Sequence, residues 1–274
     1  MKLLNLLITM VAISTANAQV IKQPLSVQYG ALGAYSKNFS DIFSATSNQA
    51  SLAQLKTAGF AVYGEKRFLL EELSNYAAVV AIPASSGVFG FEADYFGSAE
   101  FNENELGILY GRKVTRNIDI GTKFNYYSLR IPGYGSATAI NFEAGLIFHL
   151  TDKLHAGLHT YNPASSKLGK NTREQLASVY RLGIGYEVSE TTFVSAEVVK
   201  QQNQPVSINA GFQYNFQKNI FIRTGVSTLT SNSYAAVGLQ LSFARIDVSA
   251  SYHPQLGFTP GLLLLFKLKK EDKI

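Results

Sequence analysis

The chain has 274 residues, a formal net charge of +5 at pH 7, 22 glycines, 15 tyrosines, 18 phenylalanines and neither tryptophan nor cysteine. Without cysteine, disulfide bonds and lipidation of a signal-peptide cysteine are excluded. The positive charge is spread along the chain and forms no basic patch, so the sequence predicts no nucleic-acid partner.

The first residues have the pattern of a secretory signal peptide. Lys2 supplies the positive end, residues 3–13 are apolar, and Ala16-Asn17-Ala18 fits the small-x-small cleavage pattern. The alternative is an anchoring helix, but the apolar run is shorter than the roughly 18 residues that a spanning helix needs. We therefore predict a signal peptide over 1–18, with cleavage between Ala18 and Gln19. No later segment has about 20 unbroken apolar residues, so no transmembrane helix is predicted.

Residues 19–57 do not alternate cleanly between apolar and polar. Phe39, Ile42 and Phe43 are apolar, a small polar run follows, and residues 50–55 suit a short helix. The segment precedes the first predicted strand. We predict that it folds inward as a plug, and the alternative is a mobile periplasmic arm.

Residues 117–150 show most clearly the pattern that recurs through the rest of the chain. From Ile118, alternate residues through Phe124 and Tyr126 are apolar, whereas the intervening residues include Asp119 and Lys123. Side chains alternate across a strand, so each strand has one apolar and one polar face. The pattern resumes over 137–150. Because it persists over ten or more strands, it favours a barrel with lipid outside and a polar lumen inside over a soluble sandwich.

From residue 59 onward we predict fourteen strands in an all-β, antiparallel transmembrane barrel spanning residues 58–274, with both ends periplasmic. Every second connection is tight and the others are generally longer, as in bacterial barrels. The last strand carries Thr259, Gly261, Leu264 and Phe266 at a spacing that resembles the C-terminal recognition signal of outer-membrane barrels. The predicted location is the outer membrane of a Gram-negative cell. The predicted strands are 59–67, 75–83, 87–96, 104–114, 118–130, 137–150, 154–162, 176–188, 192–200, 205–216, 220–229, 234–243, 246–253 and 259–268.

Two short stretches resemble a known family. Residues 44–53, Ser-Ala-Thr-Ser-Asn-Gln-Ala-Ser-Leu-Ala, resemble the Asn-Pro-Ala hatch segment of FadL-type transporters and of the PorV/PorQ branch of that superfamily, with Gln49 in place of the proline. Residues 159–163 with 167–169 resemble the strand-to-loop passage of the same group. The resemblance implies a fourteen-stranded barrel whose N-terminal hatch contains Asn48, Gln49, Ala50 and Leu52.

The resemblance implies two roles, and fold analogy does not choose between them. One is the passage of hydrophobic molecules or secreted cargo. The other is a structural or adaptor role in a type IX secretion machine. The expected partners are outer-membrane lipid and either hydrophobic small molecules or secretion-system proteins.

The inward parity predicts a charged lumen of both signs. The lining could be a selectivity filter, but mutual pairing that fills a narrow barrel is favoured, because an ion-selective porin would show one dominant sign. Inward glycines could make room for a plug or relieve crowding at strand bends. The predicted lumen-lining residues are Asp119, Lys123, Glu143, His149, His155, His159, Arg181, Glu187, Arg223 and Asp247.

No constellation predicts catalysis, a cofactor or a metal. A lipid-modifying enzyme of the outer membrane would need a nucleophile beside a base, and no Ser–His pair stands in a recognisable motif. His155 and His159 share a face, but four strand residues separate them by roughly 13 Å, which one ion cannot bridge. We therefore predict a protein that is not an enzyme.

One cross-strand pair follows from the register. Leu150 and Leu154 should pair across the turn 151–153, which places His149 opposite His155 with about 4.5–5.5 Å between their Cβ atoms. Two imidazoles at that distance resist both becoming charged. The pair could form a pH- or metal-sensitive constriction at the plug or simply fill the floor of the lumen. The same register places Glu143 opposite Tyr161.

Overall fold

The computed structural model describes residues 29, 31–32, 35–169, 174–217, 219–228 and 232–268. The predicted signal peptide and the first part of the predicted plug lie outside these residues. Within them, no helix is long and apolar enough to cross a membrane.

Fourteen antiparallel strands form a closed barrel, as predicted, in which each strand pairs with its sequence neighbours and β1 pairs with β14. The strands are β1 (Gly59–Lys66), β2 (Ser74–Ala84), β3 (Gly87–Gly97), β4 (Asn102–Thr115), β5 (Ile118–Ile131), β6 (Gly135–His149), β7 (Leu154–Tyr161), β8 (Val179–Glu187), β9 (Thr192–Gln201), β10 (Val206–Gln217), β11 (Ile220–Ser227), β12 (Asn232–Gln240), β13 (Ala244–His253) and β14 (Gly257–Lys267). Four short 3₁₀ turns are also described, over Ile42–Thr46, Gln49–Gln54, Arg67–Leu69 and Glu71–Leu73.

The barrel has apolar side chains outside and polar ones inside. On β5, Phe124 is 61% exposed, whereas Asp119 and Lys123 on the other parity are buried. This inversion of the usual soluble pattern is stable only if lipid contacts the outer face, because roughly 25 cal/mol per Å² favours removing apolar surface from water. The architecture is that of outer-membrane β-barrels.

Strand ends differ from the prediction by three residues in two places, and elsewhere by two or fewer. Residues 176–178 were expected in β8, but Leu176 and Ala177 are buried in the loop before Val179. Residues 244–245 were expected to form a turn, but β13 begins at Ala244 and the turn lies over 241–243. The first error arises because apolar side chains buried in a loop resemble strand residues in the sequence. The second arises because Leu241 and Phe243 continue the outward apolar alternation of β12, although both are exposed in the turn.

The connections alternate less in length than predicted. Strands β5 and β6 extend farther than expected, so only residues 132–134 join them. The connection 162–178 is the longest, and it folds back so that Leu168 and Leu176 pack on Tyr127 and Ala139 of the inner wall. This loop therefore caps the rim opposite the turn 150–153.

The orientation can be tested because the chain has no cysteine. With both termini periplasmic, a cysteine at Ala164 in the long loop should react with a membrane-impermeant maleimide on intact cells. A cysteine at Asp152 should react only after the outer membrane is opened. Both positions are exposed, so exposure itself does not separate them. The reverse labelling pattern would overturn the orientation.

Candidate functional site

The described residues 29–55, which precede β1, lie inside the barrel. Their first 3₁₀ turn, Ile42–Thr46, begins with a capping box in which the Asp41 carboxylate accepts from the Phe43 and Ser44 backbone N–H groups at 2.9 and 3.1 Å. The second turn, Gln49–Gln54, begins at Asn48, whose side-chain oxygen accepts from Ala50 N–H at 3.0 Å. Such caps satisfy the free N–H groups of short turns. We call the described residues 29–55 the plug.

Glycines on the inner wall make room for the plug, which was one of the two predicted roles. A Cβ atom at Gly121 would meet the backbone of Gln49 and Ala50, and one at Gly145 would meet the Asn48 side chain. At Gly225 and Gly238 the space is instead filled by wall residues. Plug residues also occupy the space beside several further glycines, with Leu52 against Gly111, Tyr35 against Gly157, Gly183 and Gly185, and Leu32 against Gly211.

The first charged cluster surrounds Lys123. Its ammonium lies 2.7 Å from Glu92, 3.1 Å from Glu105 and 3.3 Å from Glu143. These four side chains are buried. The Gln49 amide donates to the second Glu143 oxygen at 2.7 Å, a bond that a proline at this position could not make. The cluster therefore both neutralises carboxylates and anchors the plug.

The second cluster runs across four strands, from Asp119 through His149 and His155 to Glu187. The predicted pairing of His149 with His155, and of Glu143 with Tyr161, is confirmed by the strand register. The two imidazole rings touch edge to face, with Nδ1 atoms 2.9 Å apart. Both rings are buried inside the barrel.

The third cluster joins the plug to β11 and β13. Arg245 donates to Asp41 at 2.7 Å and to Asp247 at 2.9 Å, and Arg223 lies 3.6 Å from Asp41. Tyr29 donates to Asp41 at 2.8 Å. Burial raises the pKa of the Asp41 carboxyl, but the two guanidinium groups outweigh burial and hold this pKa below its usual value. Asp41 is therefore a fixed anion that ties the plug to the wall.

The remaining predicted lumen residues also have partners. Arg181 lies 3.9 Å from Glu197, which accepts from the Tyr35 hydroxyl of the plug at 2.9 Å. His159 contacts Glu143 at 2.9 Å. Cations and anions thus pair with each other, which was the favoured of the two predicted alternatives.

The inner wall is apolar where β14, β1 and β2 face the plug, and the sequence analysis missed it. The plug turns Ile42, Phe43 and Leu52 toward this wall. Both faces of β1 and β2 are apolar, so no contrast between the two parities marked the inner one. The buried wall residues of this cluster are Ala61, Tyr63, Ala77, Val79, Ala81, Val88, Leu109, Leu263 and Leu265.

A cavity of about 370 Å³ lies between the plug and strands β10–β14. It reaches the β10–β11 turn at the end of the barrel where the plug leads into β1. Amide side chains line part of it, and Arg223 and Arg245 line it as well. Its amide-bearing lining residues include Asn38, Gln54, Gln213, Asn215, Gln217, Asn219 and Gln240.

One group of carboxylates among the described residues has the spacing of a metal site. Ligand oxygens of Glu92, Asp94 and Glu105 lie within 4.8 Å of one another. The Lys123 ammonium already contacts two of these residues. We therefore assign no metal to this group.

Sequence reasoning also missed the plug residues that hold the wall. Ser36, Asn38, Asp41 and Gln54 all bond to buried wall groups. The only sequence signal was the capping pattern of Asp41 with Ser44. It identifies a turn but does not reveal the partner on a distant strand.

No family model matches the sequence, and no curated protein sequence matches it. Solved structures share the fold. The CymD monoaromatic hydrocarbon channel superposes with a TM-score of 0.63 and 12% identity, covering 90% of this chain and 97% of that chain. The Pseudomonas putida toluene transporter TodX gives 0.62 and 9%, covering 92% and 99%. A Pseudomonas aeruginosa FadL homologue gives 0.56 and 12%, covering 90% and 97%. Identities this low show a shared fold only.

Proposed function

We propose that the protein is a FadL-like outer-membrane channel that passes small hydrophobic molecules and performs no catalysis. The observation that carries this proposal is the apolar inner wall over β14, β1 and β2, covered by apolar plug side chains. A water-filled pore has a polar interior, whereas a path for hydrophobic molecules needs an apolar surface. The fold shared with a toluene transporter and a monoaromatic hydrocarbon channel supports the same reading.

The proposal divides the chain as the sequence predicted. Residues 1–18 are the signal peptide, 19–57 the plug and 58–274 the barrel, which lies in the outer membrane in contact with lipid. Asn48 and Gln49 hold the plug by hydrogen bonds, Ala50 lies over Gly121, and Leu52 covers the apolar wall.

The plug is held differently on its two sides. Hydrogen bonds and ion pairs fix it to the charged wall over β5–β8 and to Arg223 and Arg245, whereas apolar side chains pack it against β1 and β2. A hydrophobic molecule can replace the apolar contacts of Phe43 and Leu52 without breaking an ion pair. Passage therefore begins on the β1–β2 side, and the charged wall keeps the plug inside the barrel.

Two matched substitutions on one strand test this path. Val79 is buried on the inner face of β2, and the next residue, Val80, faces outward. Val79→Thr adds a hydroxyl to the path at nearly constant volume, and burying an unpaired hydroxyl costs about 1–3 kcal/mol. We expect uptake of a radiolabelled monoaromatic hydrocarbon to fall severalfold relative to wild type in cells without other hydrocarbon channels. Val80→Thr should leave uptake unchanged.

Uptake no faster than in vector-only cells, or equal loss in both variants, would contradict the proposed path.

An adaptor role in type IX secretion is the second proposal, suggested by the PorV/PorQ-like stretch 44–53. Ser47, Asn48 and Gln49 in that stretch are buried inside the barrel, so they are not displayed to a partner. Stable secretion proteins that co-purify with the barrel from native membranes would favour the adaptor.

A further inference from the structure

Asp119, His149, His155 and Glu187 form a continuous row on adjacent strands β5 to β8. The Asp119 oxygen lies 2.9 Å from His149 Nε2, the two Nδ1 atoms lie 2.9 Å apart, and His155 Nε2 lies 3.1 Å from the Glu187 oxygen. All four side chains are buried. We call them the proton row.

The distances indicate how many protons the row holds. Each of the three contacts joins two atoms that carry lone pairs, so each contact needs one proton between them. With both carboxylates ionised, three protons leave one ring doubly protonated and the other singly protonated. A fourth proton on the rings would place N–H groups at both Nδ1 atoms, and the contact between the rings would be lost.

Both ends of the row hold the plug. At one end, the Gln54 amide donates to Asp119 and lies 3.1 Å from His149 Nε2. At the other end, Glu187 accepts from the Ser36 hydroxyl at 2.7 Å and from the Lys37 and Asn38 backbone N–H groups at 2.8 and 3.0 Å. The oxygen that receives these three bonds also faces His155. A movement of either ring therefore disturbs the plug.

We propose that the proton row is a proton-binding site that holds the plug in its three-proton state, and that a fourth proton releases it. Acid places two imidazolium rings face to edge, and the rings must separate. Each imidazolium keeps its carboxylate, so the rings separate together with Asp119 and Glu187, and the bonds that these two carboxylates accept from the plug are lost. The inference rests on the proposed role of residues 29–55 as the plug, but it makes no assumption about what the channel carries.

Among the described residues, few other charged groups lie near the row. Lys113 of β4 donates to the side-chain oxygen of Gln54 at 3.5 Å, and Lys37 follows Ser36 in the plug. On the inner faces of β6 and β7 the next titratable pair is Glu143 with His159, which bond to each other. Lysine side chains ordinarily stay positively charged between about pH 5 and 7.5.

Hydrogen–deuterium exchange of residues 36–54 in lipid nanodiscs tests the proposal. Wild-type protein and the double variant His149→Gln/His155→Gln are compared at the same pH, so the intrinsic pH dependence of exchange cancels. Imidazoles ordinarily titrate between about pH 7.5 and about pH 5. When the pH is lowered across this range, the ratio of the wild-type exchange rate to the double-variant exchange rate should rise at least about tenfold, because the wild-type plug loses hydrogen bonds to a charged group. The control His253→Gln removes a histidine at the end of β13 and should behave like wild type.

A plug that exchanges equally in wild type and double variant at both pH values would overturn the proposal. If the double variant does not fold, ¹⁵N NMR of histidine-labelled wild-type protein decides. It should show three ring protons on His149 and His155 together at about pH 7.5, with one shared between Nδ1 atoms, and four at about pH 5. Two neutral rings at the higher pH would also overturn it. Neither measurement uses a transported molecule, so failure of this proposal can be told apart from failure of the channel proposal.

Discussion

Replacing Lys123 by methionine is expected to destabilise the barrel by about 3–5 kcal/mol, because it leaves buried carboxylates without their cation. Glu92, Glu105 and Glu143 all contact this one ammonium. Methionine keeps most of the side-chain volume, so the loss is one of charge and not of packing. The urea midpoint of unfolding in detergent, followed by heat-modifiable migration on gels, measures the change.

Two variants separate charge from other causes. Lys153→Met removes an exposed lysine in the turn before β7 and should change the free energy of unfolding by less than about 0.5 kcal/mol. Adding Glu92→Gln and Glu105→Gln to Lys123→Met should recover much of the lost stability, since the uncompensated anions are then neutral. If Lys123→Met is no worse than Lys153→Met, the cluster does not stabilise the fold.

The barrel itself could be predicted because a lipid-facing barrel has apolar side chains outside and polar ones inside, which is the reverse of a soluble protein. On β5, parity alone separated Phe124 from Lys123 and so identified the outer and inner faces. The same parity, carried through the turn 151–153, predicted that His149 faces His155. Where inward and outward residues are both apolar, as at Phe60 and Ala61 of β1, alternation does not tell the inner face from the outer one. The apolar inner wall was missed for this reason.

The contacts between plug and wall could not be predicted in the same way. Register relates residues on paired strands, but the plug pairs with no strand, and its partners are set by how it folds into the lumen. Asp41 meets Arg245, which is 204 positions away in the sequence. The family resemblance placed Asn48 and Gln49 in a hatch, yet the bond from Gln49 to Glu143 uses the residue at which this chain departs from the family pattern.

Filling Gly121 is expected to displace the plug. A Cβ atom there would lie 2.6 Å from the Gln49 carbonyl oxygen and closer still to the Ala50 nitrogen. These are backbone atoms, which cannot rotate away as a flexible side chain can, so the second 3₁₀ turn must move off β5. Gly121→Ala should therefore raise leak of small polar solutes through the barrel in vesicles, toward the level of a variant lacking residues 44–55.

The matched control is Gly64→Ala on β1. A Cβ atom at Gly64 would lie 3.3 Å from the edge of the Tyr76 ring, on the outer face, and would meet no plug atom. This variant should assemble and leak like wild type. In the chain without residues 44–55, Gly121→Ala should add no further leak, because the atoms that it would displace are gone. A Gly121→Ala barrel that assembles and stays as tight as wild type would show that the plug tolerates movement at this wall, and the glycines would then serve strand bending and not plug docking.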